Sequence, residues 1–378
     1  MKRNIKPFDR PVYVTRPILP DIKEFSKRLK AICDSRLFTN IGAQHVLLEK
    51  ELVRTLGVPN LSLFNNGTIA LIAACQSLRL SGEAITTPFT FPATTHVLAW
   101  NNIKPVFCDI DPLTMNIDAN KIESMITPNT TAILAVHVFG TPCNVSKIRQ
   151  IADRYGLKVI YDAAHAFGSE INGKGIGNYG DISMFSFHAT KLFHTAEGGA
   201  LAVKTKRLKQ RIDLIKNHGI KNEDQVVMPG INGKMSELQA ALGLVILPYI
   251  DEEQKKRQRI AIAYGSLFKD VEGIKLPYMA KGVKNSLQYY VIRIDKNAFG
   301  KSRDFVHERL KRFNVFTRKY FHPLCSDYSC YKELPSASPS NLNVAQKISK
   351  EVLSLPFYGD LSLDDVERIC SIIKGMRD

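Results

Sequence analysis

Between residues 60 and 203 the chain switches repeatedly between two hydrophobic periods, and few folds accept that pattern. Short runs rich in β-branched and aromatic residues (61–64, 84–87, 105–110, 132–138, 158–161, 182–187 and 200–203) alternate with helical runs (68–78, 93–100 and 146–155). A strand buried on both faces reads as a continuous apolar run, and a helix that crosses back over the sheet makes the next strand parallel. The alternation therefore predicts an α/β fold, a large and mostly parallel sheet with helices on both faces. Helices predominate from 205 to about 268, and a strand at 288–294 with helices at 303–313, 344–352 and 363–376 predicts a smaller C-terminal α+β domain. Two domains are expected. The first covers 1–250 and includes an N-terminal arm leading into a helix capped by Asp21; the second covers 251–378.

Several function classes are disfavoured at this stage. No apolar run approaches the ~18 to 20 residues of a membrane span, and Met1-Lys2-Arg3 leads into no apolar signal core, so a cytoplasmic protein that engages no membrane is expected. Seven scattered cysteines, without CxxC or zinc-ligand spacing, predict reduced thiols and no metal site. The net charge of +16 would suit a polyanion, but the cations sit among acidic neighbours, as in 251–257, and no nucleic-acid motif is present. No nucleic-acid partner is expected; the field suits a small phosphorylated substrate.

In open parallel sheets ligands bind beyond the carboxyl ends of the strands, so residues just after each strand carry the most information. After the first strand, Asn65-Asn66-Gly67-Thr68 opens a helix. Gly67 admits close backbone approach, Thr68 offers a hydroxyl, and the helix N-terminus presents free N–H groups to a phosphate. After 158–161 comes Asp162, a carboxylate at a buried position that needs a cationic or donor partner, with His165 three residues on. After 182–187 comes Lys191, whose amine would be depressed in pKa by desolvation and so made nucleophilic and able to form a Schiff base. Ser186 could return to the phosphate and Phe91 could lie over a ring. Taken singly each has a plain structural explanation: a cap, a packed ring, a solvated lysine. Together they supply what pyridoxal 5′-phosphate requires, namely a pyridinium partner, a Schiff-base amine, a phosphate cup and a stacking face.

These residues stand in motifs that resemble those of the DegT/StrS family of sugar aminotransferases, pyridoxal-phosphate enzymes of the aspartate-aminotransferase-like class (fold type I). The matching stretches are Phe38-Thr39-Asn40 with Gly42, Asn66-Gly67-Thr68, Thr90-Phe91-Pro92-Ala93-Thr94, 105–111, 137–140, Asp162-Ala163-Ala164-His165, 186–191 with Glu197-Gly198-Gly199, and 230–235 leading to Gln239-Ala240-Ala241. The resemblance implies that Lys191 carries the cofactor, Asp162 pairs with its ring nitrogen, His165 neighbours its phenolic oxygen, Phe91 stacks, and Gly67, Thr68 and Ser186 hold its phosphate. It further implies that Asn232 reaches the phosphate of a partner subunit, giving a homodimer with shared active sites. Lysine at 191, where the dehydratase branch has histidine, favours transamination. His165 stands where many relatives carry glutamine.

A narrower likeness, through 64–71 and 159–168, implies transfer from L-glutamate, by way of pyridoxamine 5′-phosphate, to carbon 4 of a dTDP-linked 4-keto-6-deoxyglucose. Carbon 3 of the same sugar class, a UDP-linked sugar and a non-catalytic regulator remain as alternatives. The usual destinations of such sugars are surface polysaccharide, including O-antigen lipopolysaccharide, and glycosylated natural products. Two cations beside aromatics, in Arg318-Lys319-Tyr320, are the candidate contacts for the nucleotide diphosphate.

Overall fold

A computed structural model describes residues 6–377; the Met1–Arg3 start lies outside the described residues. Its centre is a seven-stranded sheet in the spatial order Asn60–Phe64, Gly199–Val203, Ile182–Ser186, Lys158–Asp162, Thr130–Val136, Glu83–Thr86, Lys104–Phe107. All of these strands point the same way except Gly199–Val203, which is antiparallel to both of its neighbours. Apart from Lys104, Thr131, Lys158 and Ser186 at or near strand ends, every strand residue is buried. This is why the sequence shows continuous apolar runs there and not an alternating pattern. Helices Gly67–Ser77, Pro92–Trp100 and Val145–Tyr155 make the crossovers, two of them with an asparagine cap: Asn66 accepts from the Ile69 amide and Asn144 from that of Lys147. Among the described residues no helix is long and apolar enough to cross a membrane. All seven thiols are free, with Cys33 and Cys330 exposed.

A second core forms around the three-stranded antiparallel sheet Ile274–Lys275, Tyr290–Ile294 and Val352–Leu355, covered by helices Ile250–Phe268, Arg303–Lys311 and Leu363–Lys374. The N-terminal arm, expected with the first domain, contributes Phe8 and Val12 to this second core. Val12–Tyr13 pairs in parallel with Val315–Phe316, and the Phe357 amide donates to the Val14 carbonyl, so the chain's two ends are tied together. The segment that follows, about 321–348, turns back and packs its apolar side chains against Phe107 and Val136 of the large sheet and Phe89 in the loop after Glu83–Thr86. The two cores thus meet directly above the carboxyl ends of the parallel strands.

Candidate active site

At that edge lies a cavity of about 600 Å³. Four of the strands lead into its wall. The Asn60–Phe64 strand ends in Asn66-Gly67-Thr68; Glu83–Thr86 leads to Thr90 and Phe91; Lys158–Asp162 ends on Asp162; Ile182–Ser186 ends on Ser186 and runs through an irregular turn to Lys191. Because Gly199–Val203 runs the opposite way, its first residue sits at this edge too. Gly199 pairs with both Phe64 and Ser186, drawing the helix start and the serine together.

The phosphate-sized end is shaped by what is missing. A Cβ on Gly67 would stand 3.2 Å from Ser186 Cβ and from Met184 Sδ, and a Cβ on Gly199 would stand 2.8 Å from the Asn66 carbonyl and the Gly67 nitrogen. Both glycines therefore keep backbone close to where an anion would lie. The Asn66 side chain takes the Ile69 amide at 2.8 Å and its carbonyl takes that of Ala70, while the amides of Gly67 and Thr68 have no partner among the described residues. With the Ser186 hydroxyl opposite, this is the donor set of an anion cup at a helix N-terminus.

Asp162 is buried at the other end of the cavity. Its Oδ1 accepts the Ala164 amide at 3.0 Å and its Oδ2 accepts the Thr94 hydroxyl at 2.8 Å. Thr94 Oγ lies 2.8 Å from Thr90 Oγ, so the Thr90 hydroxyl donates to Thr94 and the chain runs inward to the carboxylate. Desolvation raises the Asp162 pKa; the Ala164 amide, the Thr94 hydroxyl and the charge on Lys191 oppose it. A buried carboxyl with two donors on its oxygens and a cation nearby is a seat for a protonated ring nitrogen.

Burial lowers the Lys191 pKa to about 8, against the pull of Asp162 and Tyr320 in the other direction. Its Nζ lies 5.7 Å from the centre of the Tyr289 ring. His165, buried in the cavity wall, is flanked by near-parallel rings of Phe139 and Phe321 at 6.2 and 5.8 Å. Burial first, and then Lys191, push its pKa well below the ordinary histidine value, so the ring is neutral. Its Nδ1 has no hydrogen-bond partner among the described residues. A neutral histidine in the cavity wall, an anion cup, a depressed lysine and a buried carboxylate together fit pyridoxal phosphate: a phenolic oxygen, a phosphate, an aldehyde and a ring nitrogen each have a complementary group. Phe91 is 58% exposed on the cavity wall, available to cover the ring face.

Of the residues read from sequence, Gly67, Thr68, Phe91, Asp162, His165, Ser186, Lys191 and Tyr320 line this one cavity. Asn232 does not. It is exposed outside the cavity, its carbonyl accepting from Asn65 Nδ2 at 3.5 Å. Arg318 and Lys319 do not line it either. Arg318 exchanges backbone hydrogen bonds with Ser354, as a strand residue does, and alternation along that extended run turns Lys319 to the side away from Tyr320. There Lys319 Nζ meets Asp304 Oδ1 at 2.6 Å. Phe321, in the same candidate stretch as Tyr320, lines it as well, and residues without a role in the sequence reading also enter the wall: Thr90, His188, Glu197 and Tyr289, with Thr94 and Gln288 behind it. Thr94 and Glu197 fall inside motifs quoted above, which was the available signal; Gln288 and Tyr289 arrive from the second core and have none.

The family model for DegT/DnrJ/EryC1/StrS aminotransferases matches residues 20–374. The chain is 46% identical to dTDP-4-amino-4,6-dideoxy-D-glucose transaminase of Escherichia coli, over 97% of this chain and 99% of that protein. It is 44% identical to the Shigella dysenteriae transaminase of the same name, over 98% and 100%. The crystal structure of DesI in the presence of its TDP-sugar product superposes with a TM-score of 0.94 at 34% identity, covering 98% of this chain and 94% of that one.

Proposed function

The chain belongs to the DegT/DnrJ/EryC1/StrS aminotransferase family, and from that premise we propose that it binds pyridoxal 5′-phosphate in the cavity at the strand ends. There it moves the amino group of L-glutamate to carbon 4 of dTDP-4-keto-6-deoxyglucose. The near-full-length likeness to two transaminases of the corresponding amino sugar carries the choice of sugar and carbon.

When bound, the cofactor supplies an electron sink that accepts the amino group and passes it on. The chain's own residues do the rest. Lys191 Nζ would anchor the cofactor and serve as the base toward the donor's α-carbon; a lysine held near 8 is matched to that task at neutral pH. Asp162 would hold the proton on the ring nitrogen, its oxygens oriented by the Thr94 hydroxyl and the Ala164 amide. Gly67, Thr68 and Ser186 fix the phosphate and with it the rotation of the ring. Phe91 covers one face, and neutral His165 stands in the wall as the neighbour of the phenolic oxygen.

The same reading makes the protein a cytoplasmic homodimer in which Asn232 serves the partner's phosphate. Its support is an exposed apolar surface: Leu37, Phe38 and Ile41 are exposed, and the Phe38 carbonyl accepts the amide of Glu237, next to exposed Leu238. Tyr320 is the cavity residue of the 318–320 segment placed to touch the sugar.

The test is the visible absorption of the purified protein with added pyridoxal phosphate, then glutamate, then dTDP-4-keto-6-deoxyglucose. A yellow band that glutamate bleaches and the keto sugar restores is expected, and NMR of the product should show nitrogen at carbon 4. A folded protein that develops no band refutes the cofactor, and nitrogen at carbon 3 refutes the regiochemistry.

A further inference from the structure

Lys191 sits in an irregular segment, outside both sheet and helix. Its own amide donates to His188 O at 2.8 Å, and the peptides on either side of it depend on a side chain from almost a hundred residues away. Gln288, only 2% exposed, takes the Leu192 amide on Oε1 at 2.6 Å and donates from Nε2 to the Thr190 carbonyl at 2.8 Å. One amide group thus brackets the lysine in sequence. The next residue, Tyr289, presents its ring to the Lys191 ammonium.

The bracket is itself braced. Arg257 Nη1 donates to the carbonyls of Leu287 at 3.1 Å and Gln288 at 3.4 Å, and Arg257 Nε donates to Glu253 Oε1 at 2.6 Å. That same oxygen accepts the Gly359 amide at 2.8 Å. Leu287 holds a left-handed φ of 56°, unfavourable for a branched residue, with its amide on Asn285 Oδ1. Backbone held there at a cost, with both ends of a buried amide committed to one loop, is the arrangement expected of a positioning group.

We propose that Gln288 is a positioning residue for Lys191, a clamp through which the second core sets where the lysine's amine stands. The proposal rests on the reading of Lys191 as the cofactor-bearing lysine. By fixing both neighbouring peptides, Gln288 holds Nζ in the desolvated place opposite Asp162 and brings it back there after the donor has displaced it.

The experiment uses the full-length, cofactor-free protein and the variant Gln288→Met, which keeps the length and removes both hydrogen bonds. Amide hydrogen exchange should accelerate about tenfold at Leu192, the loss of one well-formed bond, while the Ile182–Ser186 and Lys158–Asp162 strands keep wild-type protection. The pH at which capture of pyridoxal phosphate is half-maximal should move upward from about 8, towards the ordinary lysine value, as water reaches the loosened amine. Wild-type exchange at Leu192, a wild-type capture midpoint, or acceleration spread evenly over the chain would each overturn the proposal. Should Gln288→Met not fold, Gln288→Asn, too short to reach both peptides, carries the same two readouts. A wild-type protein that captures no pyridoxal phosphate refutes the role of Lys191, while exchange at Leu192 still reports on the clamp.

Discussion

Replacing Thr94 with valine removes a single hydroxyl from the inside of the molecule, and its effect should depend on pH in a calculable way. Thr94 is fully buried and donates to Asp162 Oδ2. Desolvation already sets the folded pKa of Asp162 above its ordinary 3.8, with Ala164, Thr94 and Lys191 pulling it back. A carboxyl raised on folding favours the folded state while it is protonated, and that contribution is lost as pH rises through the folded pKa. Without Thr94 the ionised form loses one of its two hydrogen bonds, so the decline becomes larger. A hydrogen bond to an ionised group is worth about 1.5–3 kcal/mol, against roughly 1 kcal/mol to a neutral one. The destabilisation of Thr94→Val should therefore be smallest where the carboxyl is protonated and grow by about 0.5–2 kcal/mol as pH rises through its raised folded pKa. The stranded Thr90 hydroxyl adds a part that does not vary with pH. Urea unfolding of the cofactor-free protein on both sides of that pKa measures the difference, and the Asp162→Asn background should abolish its slope. A destabilisation of equal size on both sides would refute the account of how Thr94 supports the Asp162 carboxylate.

Other consequences can be checked separately. Lys191→Ala should cut turnover by at least about 10⁴-fold and abolish the yellow band while leaving binding of pyridoxamine phosphate, measured by calorimetry, in place. The neutral amine is the nucleophile, so the rate of pyridoxal phosphate capture should climb as pH rises through about 8 and level off above it; a midpoint near 10.5 would contradict the burial of the amine. Gly199→Ala forces a Cβ within 2.8 Å of backbone that cannot rotate away. It should cost about 1–3 kcal/mol in thermal unfolding and weaken cofactor binding by an order of magnitude or more; unchanged affinity would show that the cup does not need that closeness.

The sheet was legible because its strands are buried on both faces, which leaves apolar runs that helices punctuate at regular intervals. The residues at strand ends were legible for the same reason, since a lysine or aspartate interrupting such a run has to be accounted for chemically. What stayed hidden is whatever the second core brings. Gln288 and Tyr289 sit in an unremarkable stretch, and only the docking of that stretch against Thr190 and Leu192 gives the amide its use. Lys319 shows the reverse failure. A cation beside aromatics looks available in a linear reading, but Asp304, fifteen residues earlier, lies one helical start away in space and takes it. The N-terminal arm was assigned by proximity in sequence, whereas Phe8 and Val12 follow the apolar surface of the C-terminal core.

The reversed strand Gly199–Val203 also dictates an order of events during folding. The Asn60–Phe64 strand touches no member of the sheet except this one, whose residues are made some 135 positions later. Closing a loop of that length is slow compared with pairing of the nearer strands. The strand that leads into helix Gly67–Ser77 therefore lacks its sheet partner until the chain has been synthesised past Val203. A chain truncated before residue 199 would keep Asp162 and Lys191 yet lack the glycine that stands against Asn66 and Gly67.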